Sequence, residues 1–155
     1  MEIKFTKNTA GEHSISYQRD DGSVTWMRAS PYFVQHDLSH YAIESTLGYR
    51  TAFLGMINGG MQIRDFEDRE KRLSMRVTDE GWYAESMANL FLMELTQGRV
   101  DNFNQVLAAS FRQMNLDVSP PQLSVEEADK IRKRLQELIM QWQQLPEKEH
   151  LLLSF

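Results

Sequence analysis

The chain has 155 residues, a net charge of −5 and no cysteine. The lack of cysteine excludes disulfides, thiolate metal ligands and a cysteine nucleophile, and the acidic balance argues against binding to nucleic acid. No segment approaches the ~20 apolar residues of a membrane span, and the N-terminus has no apolar run of signal-peptide length. These features predict a cytoplasmic protein with no nucleic-acid or membrane partner, folded as a single domain over residues 1–155.

Residues 1–29 predict three antiparallel strands arranged as a β-meander. Apolar and polar residues alternate in three short runs, and the Asp21-Gly22 pair between the last two runs is a strong hairpin signal. The alternation predicts that six side chains share the buried face of this sheet: Ile3, Phe5, Ile15, Tyr17, Val24 and Trp26.

Residues 30–145 predict about five helices, including a short one within residues 49–60 where Gly55 would permit close packing. The charged segment 62–72 is expected to form a solvated turn or a helix end. Helix starts are marked by capping side chains, one of them in a Ser-x-x-Glu capping box, and helix ends by glycine or proline. The expected caps are Ser30 (followed by Pro31), Thr78, Asp101 and Ser124, and the expected terminators are Gly48, Gly59-Gly60, Gly98 and Pro146.

The longer helices each carry an apolar stripe, which predicts the side that faces the core. The tail, residues 149–155, predicts a strand that could join the N-terminal sheet, because three consecutive leucines need a buried surface. The predicted fold class is therefore α+β, a small antiparallel sheet packed against about five helices. The stripe residues are Ala84, Met87, Ala88, Phe91 and Leu95 in the third helix, Phe103, Val106, Leu107, Phe111 and Met114 in the fourth, and Ile131, Leu135, Leu138, Ile139 and Trp142 in the last.

The most informative segment lies on the first predicted helix, where His36 and His40 are four residues apart. This spacing stacks two imidazoles one turn apart on one helix face, and such a pair can chelate a divalent metal ion such as zinc. Asp37 follows the first histidine, in the position of the glutamate in the helical zinc motif H-E-x-x-H. Apolar residues occupy the opposite face and flank the histidines, so we expect a central helix with at least partly buried histidines.

A third metal ligand must come from elsewhere in the fold. Glu44 lies roughly 12 Å from His36 along the helix axis, too far to share one ion with ~2 Å bonds, although it can pair with His40. In zinc peptidases with the H-E-x-x-H motif, the third ligand can be a glutamate on the following helix. By this analogy the candidate carboxylates are Asp65, Glu67, Asp68 and Glu85.

Three hypotheses remain open for this segment. In the first, the two histidines hold a metal ion in a hydrolase, and Asp37 or Glu44 acts as acid or base on the attacking water, although aspartate is one methylene shorter than the glutamate of the motif. In the second, the same residues perform acid–base chemistry without a metal. In the third, the histidines only hydrogen-bond to neighbouring carboxylates, and the protein is a non-catalytic binding or scaffolding module that could form a homodimer through methionines such as Met93 or Met140.

These hypotheses predict different surroundings for the histidines. A metal-dependent hydrolase requires a concave pocket that reaches both imidazoles and a convergent third ligand, whereas a scaffold predicts closed histidines and a flat apolar patch. Serine hydrolysis and nucleotide binding are not expected, because Gly-x-Ser-x-Gly, G-x-x-x-x-G-K and G-x-G-x-x-G motifs are all missing. His13 and His150 lie on predicted strands and could also approach the first helix.

The histidine segment also resembles a stretch found in a family of bacterial proteins. The family stretch reads Pro-His-Asp-Leu-x-His-x-x-Val-Glu and follows an N-terminal β-hairpin. The resemblance covers roughly the first sixty residues and implies a shared architecture; no known activity is attached to that family, so it implies no catalytic role. The matching residues here are Gln35-His36-Asp37-Leu38-Ser39-His40-Tyr41-Ala42-Ile43-Glu44, with Gln35 in place of the proline, followed by Phe53-Leu54-Gly55 and Gly59-Gly60.

Overall fold

The computed structural model describes residues 1–66 and 68–155, with all side chains in these ranges except those at positions 10, 72 and 73. Its strands are β1 (Glu2–Thr6), β2 (His13–Gln18), β3 (Val24–Ala29) and β4 (His150–Ser154). They form one antiparallel sheet in the order β3-β2-β1-β4, and helices pack against it, so the predicted α+β class is confirmed.

The C-terminal strand joins the sheet, as the three leucines suggested. β4 pairs with β1 in antiparallel register, with Leu153 opposite Ile3. Leu153 is buried against the core, whereas Leu152 points to the other face of the sheet and is exposed. The strand therefore buries one leucine, half-buries Leu151 and leaves the third in solvent.

The predicted buried face is wrong for β3. The four predicted positions on β1 and β2 are buried, but Val24 and Trp26 are 54% and 50% exposed. The register explains the difference, because Tyr17 lies opposite Thr25 and opposite residues share a face of the sheet. Alternation alone could not show which set of β3 residues faces the core, since both faces of this strand carry apolar residues. The buried residues on this face are Ile3, Phe5, His13, Ile15, Tyr17, Thr25, Met27, Ala29 and Leu153.

Six helices lie in the described part of the chain, one more than the sequence outlined. The additional helix, α3, begins in the charged segment 62–72, after a 3-10 turn at Ile63–Phe66. The described side chains of this segment are mostly exposed, as expected, but Ile63 is buried and Phe66 is half-buried. The helices are α1 (Pro31–Leu47), α2 (Phe53–Asn58), α3 (Arg69–Ser74), α4 (Asp79–Gln97), α5 (Phe103–Gln113) and α6 (Val125–Gln144).

Most of the predicted helix boundaries are confirmed. The side chains of Ser30, Thr78 and Ser124 accept hydrogen bonds from backbone N–H groups in the first turns of α1, α4 and α6. The predicted cap at Asp101 is wrong, because this residue lies in the turn before α5, which follows Asn102 without a side-chain cap. α1, α2 and α4 end at Gly48, Gly59 and Gly98, and α6 ends just before Pro146.

α1 is central, as predicted, and contacts the sheet, α2, α4 and α6. The apolar stripe of α6 is buried throughout, but Leu95 and Met114 are exposed and Val106 is half-buried. Leu95 lies near the end of α4 and Met114 follows the last residue of α5, so both lie at helix ends. Within the described ranges, no helix is both long enough and apolar enough to cross a bilayer.

A glycine holds α2 close to the loop that precedes it. A Cβ atom at Gly55 would lie 2.0 Å from the carbonyl oxygen of Arg50, so a larger residue would force the backbone apart. The close packing predicted for this glycine is therefore confirmed. At the start of α2, the backbone N–H of Leu54 donates to the side chain of Glu44 on α1.

Candidate metal centre

Three side chains from two neighbouring helices converge between α1 and α4. Nε2 of His40 lies 3.2 Å from Oε2 of Glu85, and Nε2 of His36 lies 3.5 Å from the same oxygen. The potential ligand atoms of the three residues all lie within 4.8 Å of one another. Glu85 is one of the four carboxylates considered as a third ligand, and the packing of α4 on α1 brings it to the histidines.

Two of the three spacings among these atoms suit a tetrahedral metal ion. Zinc binds imidazole nitrogen and carboxylate oxygen at ~2.0–2.2 Å, which places tetrahedral ligand atoms about 3.3 Å from one another. The two distances from Oε2 of Glu85, 3.2 and 3.5 Å, lie on either side of this value. Two imidazoles and one carboxylate also form a known donor set of catalytic zinc sites, which keep a fourth position open. The same distances suit charge-assisted hydrogen bonds, so the group holds together without an ion as well.

A buried carboxylate stands behind His40. Nδ1 of His40 lies 3.0 Å from Oε1 of Glu44, and Oε2 of Glu44 accepts a hydrogen bond from the backbone N–H of Leu54 at 3.0 Å. Glu44 is fully buried and His40 is 2% exposed. The predicted pairing of these two residues is therefore confirmed. Metal-ligating histidines commonly donate their other ring N–H to such a carboxylate, which fixes the tautomer and the ring orientation.

A second buried carboxylate stands behind His36. Nδ1 of His36 lies 3.4 Å from Oδ1 of Asp37, while the hydroxyl of Tyr17 donates to Oδ2 of Asp37 at 2.5 Å. Burial and the negative charge of Asp37 raise the pKa of Tyr17 well above its usual value, so this phenol stays a neutral donor. Tyr17 was missed as a site residue because its alternation pattern suits an ordinary core position. A signal was available, since a tyrosine hydroxyl on a buried face needs a polar partner.

The carboxylates shift the pKa values of the histidines upward. Burial lowers the pKa of His40, but the hydrogen bonds and charges of Glu44 and Glu85 outweigh burial and raise this pKa to about 10. Burial likewise opposes protonation of His36, but the hydrogen bonds that its ring makes to Asp37 and Glu85 outweigh burial, so its pKa is raised.

The pKa values of the two glutamates that contact His40 shift in opposite directions. Burial raises the pKa of Glu44, and its contacts with His40 and the backbone offset this only in part. Burial also acts to raise the pKa of Glu85, but its hydrogen bonds to His36 and His40 outweigh burial and hold this pKa well below the usual range. Glu85 is therefore the carboxylate that is firmly ionised, and it is the one placed to act as a metal ligand.

Three carboxylates surround the two histidines of α1. We define the histidine cluster as these two histidines together with Asp37, Glu44 and Glu85. Three ionised carboxylates beside two neutral imidazoles would leave negative charge uncompensated, which is energetically costly where the groups are buried. Two protonated imidazoles or one divalent metal ion would supply the same positive charge. Protonation of the imidazoles and binding of a divalent ion are therefore alternative ways to offset part of this negative charge.

A cavity of about 600 Å³ lies beside the cluster, and His36, Asp37 and Glu85 form part of its wall. His40 is not part of the wall and lies behind these residues. The hydrolase hypothesis predicts a pocket that reaches both imidazoles, whereas this cavity reaches only the imidazole of His36. The side chain of Glu85 is 49% exposed, so the centre is open toward solvent on this side.

The other candidate ligands lie away from the cluster. Asp65 pairs with Lys71, and Asp68 accepts hydrogen bonds from backbone N–H groups of α3. Glu67 lies outside the described residues. His13 packs edge-on against Trp142, and His150 is exposed, so neither histidine joins the pair on α1. Of the methionines considered for dimerisation, Met140 is exposed and Met93 is half-buried.

Comparison with known proteins gives no further constraint on the site. No protein-family model matches the sequence, and no match is found among curated proteins or solved structures. The function is therefore argued from the geometry of the histidine cluster and its cavity.

Proposed function

We propose that the protein binds a divalent transition-metal ion, preferentially zinc, through His36, His40 and Glu85, and that the site serves metal-assisted hydrolysis. The observation that carries this proposal is the shared arrangement of the two histidines. Each imidazole has a buried carboxylate beside Nδ1, and both Nε2 atoms meet the same oxygen of Glu85. Imidazole ligands favour zinc and its neighbours in the transition series over magnesium and calcium, which prefer oxygen.

The cavity gives the proposed site access to a small molecule. A divalent ion at this position would polarise a substrate carbonyl and activate water, which is the chemistry of metal-assisted hydrolysis. His36 and Glu85 face the cavity, while His40 and Glu44 support the centre from behind. An open coordination position would therefore face the cavity.

Asp37 and Glu44 fit positioning roles better than the acid or base role expected for them. Glu44 is fully buried, and its two oxygens face His40 and the backbone of α2. Both oxygens of Asp37 also have protein partners, the Tyr17 hydroxyl and the His36 ring. Acid–base catalysis by either residue stays a prediction.

A competing function is a non-catalytic module in which the cluster only stabilises the fold. It is favoured by one observation: every ring nitrogen of His36 and His40 already faces a carboxylate oxygen. In this case the imidazoles would keep their protons and no metal would bind.

Metal content separates the two functions. The protein, without an affinity tag, is incubated with zinc, dialysed and measured by plasma mass spectrometry. We expect close to one zinc ion per chain in the parent protein and in His150→Ala, which removes an exposed histidine outside the cluster. The double variant His36→Ala/His40→Ala is expected to lose the zinc while its circular dichroism spectrum is unchanged.

A second variant covers the case in which the double variant does not fold. Glu85→Gln changes a half-exposed side chain and removes only the charged ligand on α4, so the fold is expected to persist with strongly reduced zinc content. A parent protein that holds no zinc after incubation would refute the proposal. Zinc that remains at the parent level in folded variants of all three ligands would refute the assigned site.

A further inference from the structure

We infer that the cavity binds a small monocarboxylate with an apolar tail, with the carboxylate at the metal centre and the tail among aromatic side chains. This inference rests on the proposed metal binding and extends it to a ligand class. Two observations carry it: the apolar walls of the cavity and the position of its single charged end beside the proposed metal ligands.

The walls of the cavity are mainly aromatic. Side chains from α1, α2, the 3-10 turn and α4 contribute, and its volume of about 600 Å³ lies within the ~300–1,000 Å³ range of small-molecule sites. Phe53 and Phe66 contact each other with ring centroids 5.0 Å apart. The aromatic residues in the wall are Tyr32, Phe33, Phe53, Phe66 and Trp82.

Two of these aromatic residues are left in solvent at the start of α1. Tyr32 is 56% exposed and Phe33 is 46% exposed, although both belong to the cavity wall. Burial of such surface by an apolar tail would be favourable at about 25 cal/mol per Å². An apolar ligand that covers these two rings would therefore be bound more tightly, because it removes their exposed apolar surface from water.

The charged groups are confined to one end of the cavity, where His36, Asp37 and Glu85 lie. Without a metal, this end has two carboxylates beside one imidazole and offers no coordination position to a ligand. A divalent ion held by both histidines and Glu85 would accept a further oxygen ligand from the cavity. A carboxylate would supply that oxygen, and its tail would extend along the aromatic walls.

The ligand class also relates to the proposed hydrolysis. Hydrolysis of an ester or amide consumes one water molecule, breaks the bond between the acyl carbon and its oxygen or nitrogen, and releases an acid together with an alcohol or amine. A monocarboxylate with an apolar tail is the acid released from a substrate with an apolar acyl group. The inference therefore assigns the cavity to the acyl part of the substrate.

A homologous series of acids tests the inference. Acetate, butyrate, hexanoate and octanoate carry the same charge and differ only in tail length. Isothermal titration of each acid into zinc-loaded protein is expected to show affinity rising about fourfold for every methylene group that is buried. The same acids are expected to give no measurable binding to the metal-free protein, because it holds no ion to which their carboxylate could bind.

A matched pair of variants locates the tail. Phe33→Ala is expected to weaken octanoate binding about 5–10-fold and to leave acetate binding unchanged, since only the tail contacts this ring. Trp26→Ala removes an equally exposed aromatic side chain from the other face of the sheet and is expected to change neither. Zinc content is measured for both variants, so that a lost metal is not mistaken for a lost tail contact.

Different results would overturn the inference and the proposed function separately. If zinc binds but affinity does not rise with tail length, the cavity inference fails and metal binding stands. If octylamine binds the metal-free protein and the acids do not bind the zinc-loaded one, the cavity takes a cationic amphiphile and the inference is wrong. If zinc does not bind at all, both fail.

Discussion

α4 makes two charged contacts with its neighbours, and the two differ in charge balance. Toward α1, Glu85 meets His36 and His40 in the histidine cluster. Toward α6, Glu94 receives two hydrogen bonds from the guanidinium of Arg132, at 2.7 and 2.8 Å. In the Arg132 contact, a permanently charged cation pairs with carboxylates. In the histidine cluster, the carboxylates outnumber the imidazole rings, and the protons of these rings can be replaced.

The chemistry of the two cations explains what each contact can do. A guanidinium keeps its proton at every physiological pH and has no lone pair for a metal, so the Arg132 contact is structural. Arg132 also lies over the rings of Phe91 and Phe103, which holds it in place. An imidazole can exchange its proton for a metal ion. The two charged contacts therefore differ in what they can do according to whether their cation can be replaced.

The largest expected effect comes from Glu44→Leu, which leaves His40 without its buried partner and the Leu54 N–H without an acceptor. We expect the free energy of unfolding to fall by about 3–5 kcal/mol in metal-free protein, as measured by urea denaturation. Glu44→Gln is expected to cost less, because the amide oxygen can keep one of the two hydrogen bonds. A Leu variant as stable as the parent would show that Glu44 does not support the cluster.

Arg132→Met tests the other side of the comparison. It removes the cation from Glu94, and we expect a loss of about 3 kcal/mol in unfolding free energy. Arg132→Met/Glu94→Leu is expected to recover most of this loss, since replacing both members of a buried pair is often neutral. Both variants should keep the parent level of zinc; a changed zinc content would contradict the separation of the two contacts.

Zinc itself is expected to stabilise the protein through the histidine cluster alone. At a free concentration of 100 times Kd, binding adds about 2.7 kcal/mol to the unfolding free energy, which corresponds to a rise in Tm of about 5–10 °C at this chain length. Differential scanning fluorimetry should show this rise in the parent and in Arg132→Met, and no rise in His36→Ala/His40→Ala. A comparable rise with magnesium would contradict nitrogen ligation.

The smallest expected effect comes from the support of His36. Asp37→Asn removes the negative charge beside Nδ1 of His36, and we expect zinc affinity to fall about 10–100-fold by competition with a chelating dye. Asp129→Asn is the control, because Asp129 contacts Arg132 instead of a histidine. Equal zinc affinity in the parent and in Asp37→Asn would show that Asp37 does not orient the ring.

Local patterns in the sequence predicted much of the fold. The Ser30-Pro31 start of α1, the capping box at Ser124 and the terminal glycines act within one or two turns, so they depend little on the rest of the chain. Which face of β3 is buried depends on the register across the hairpin. The sequence could not show it, because both faces of that strand carry apolar residues. The side chains of Leu95 and Met114 are exposed because neighbouring helices do not cover these helix ends. The extent of a neighbouring helix is not encoded in a local sequence pattern.

The candidate site was predictable only where it is local. His36, His40 and Glu44 share one helix, so their spacing predicted both the stacked imidazoles and the His40–Glu44 pair. Glu85 comes 45 residues after His40, and only the packing of α4 on α1 selects it from the four carboxylates considered. The contribution of Tyr17 likewise depends on how the sheet lies against α1.

The pairing of β1 with β4 bears on how the protein folds. Glu2 lies opposite Ser154, so this contact closes a loop that contains all six helices of the described residues. Long-range pairing of this kind forms slowly, because the entropy of closing the loop is lost before the strand contacts stabilise the structure. Until β4 docks, β1 presents an open strand edge on which a second chain can pair. Refolding at high protein concentration therefore sets closure of the sheet in competition with aggregation.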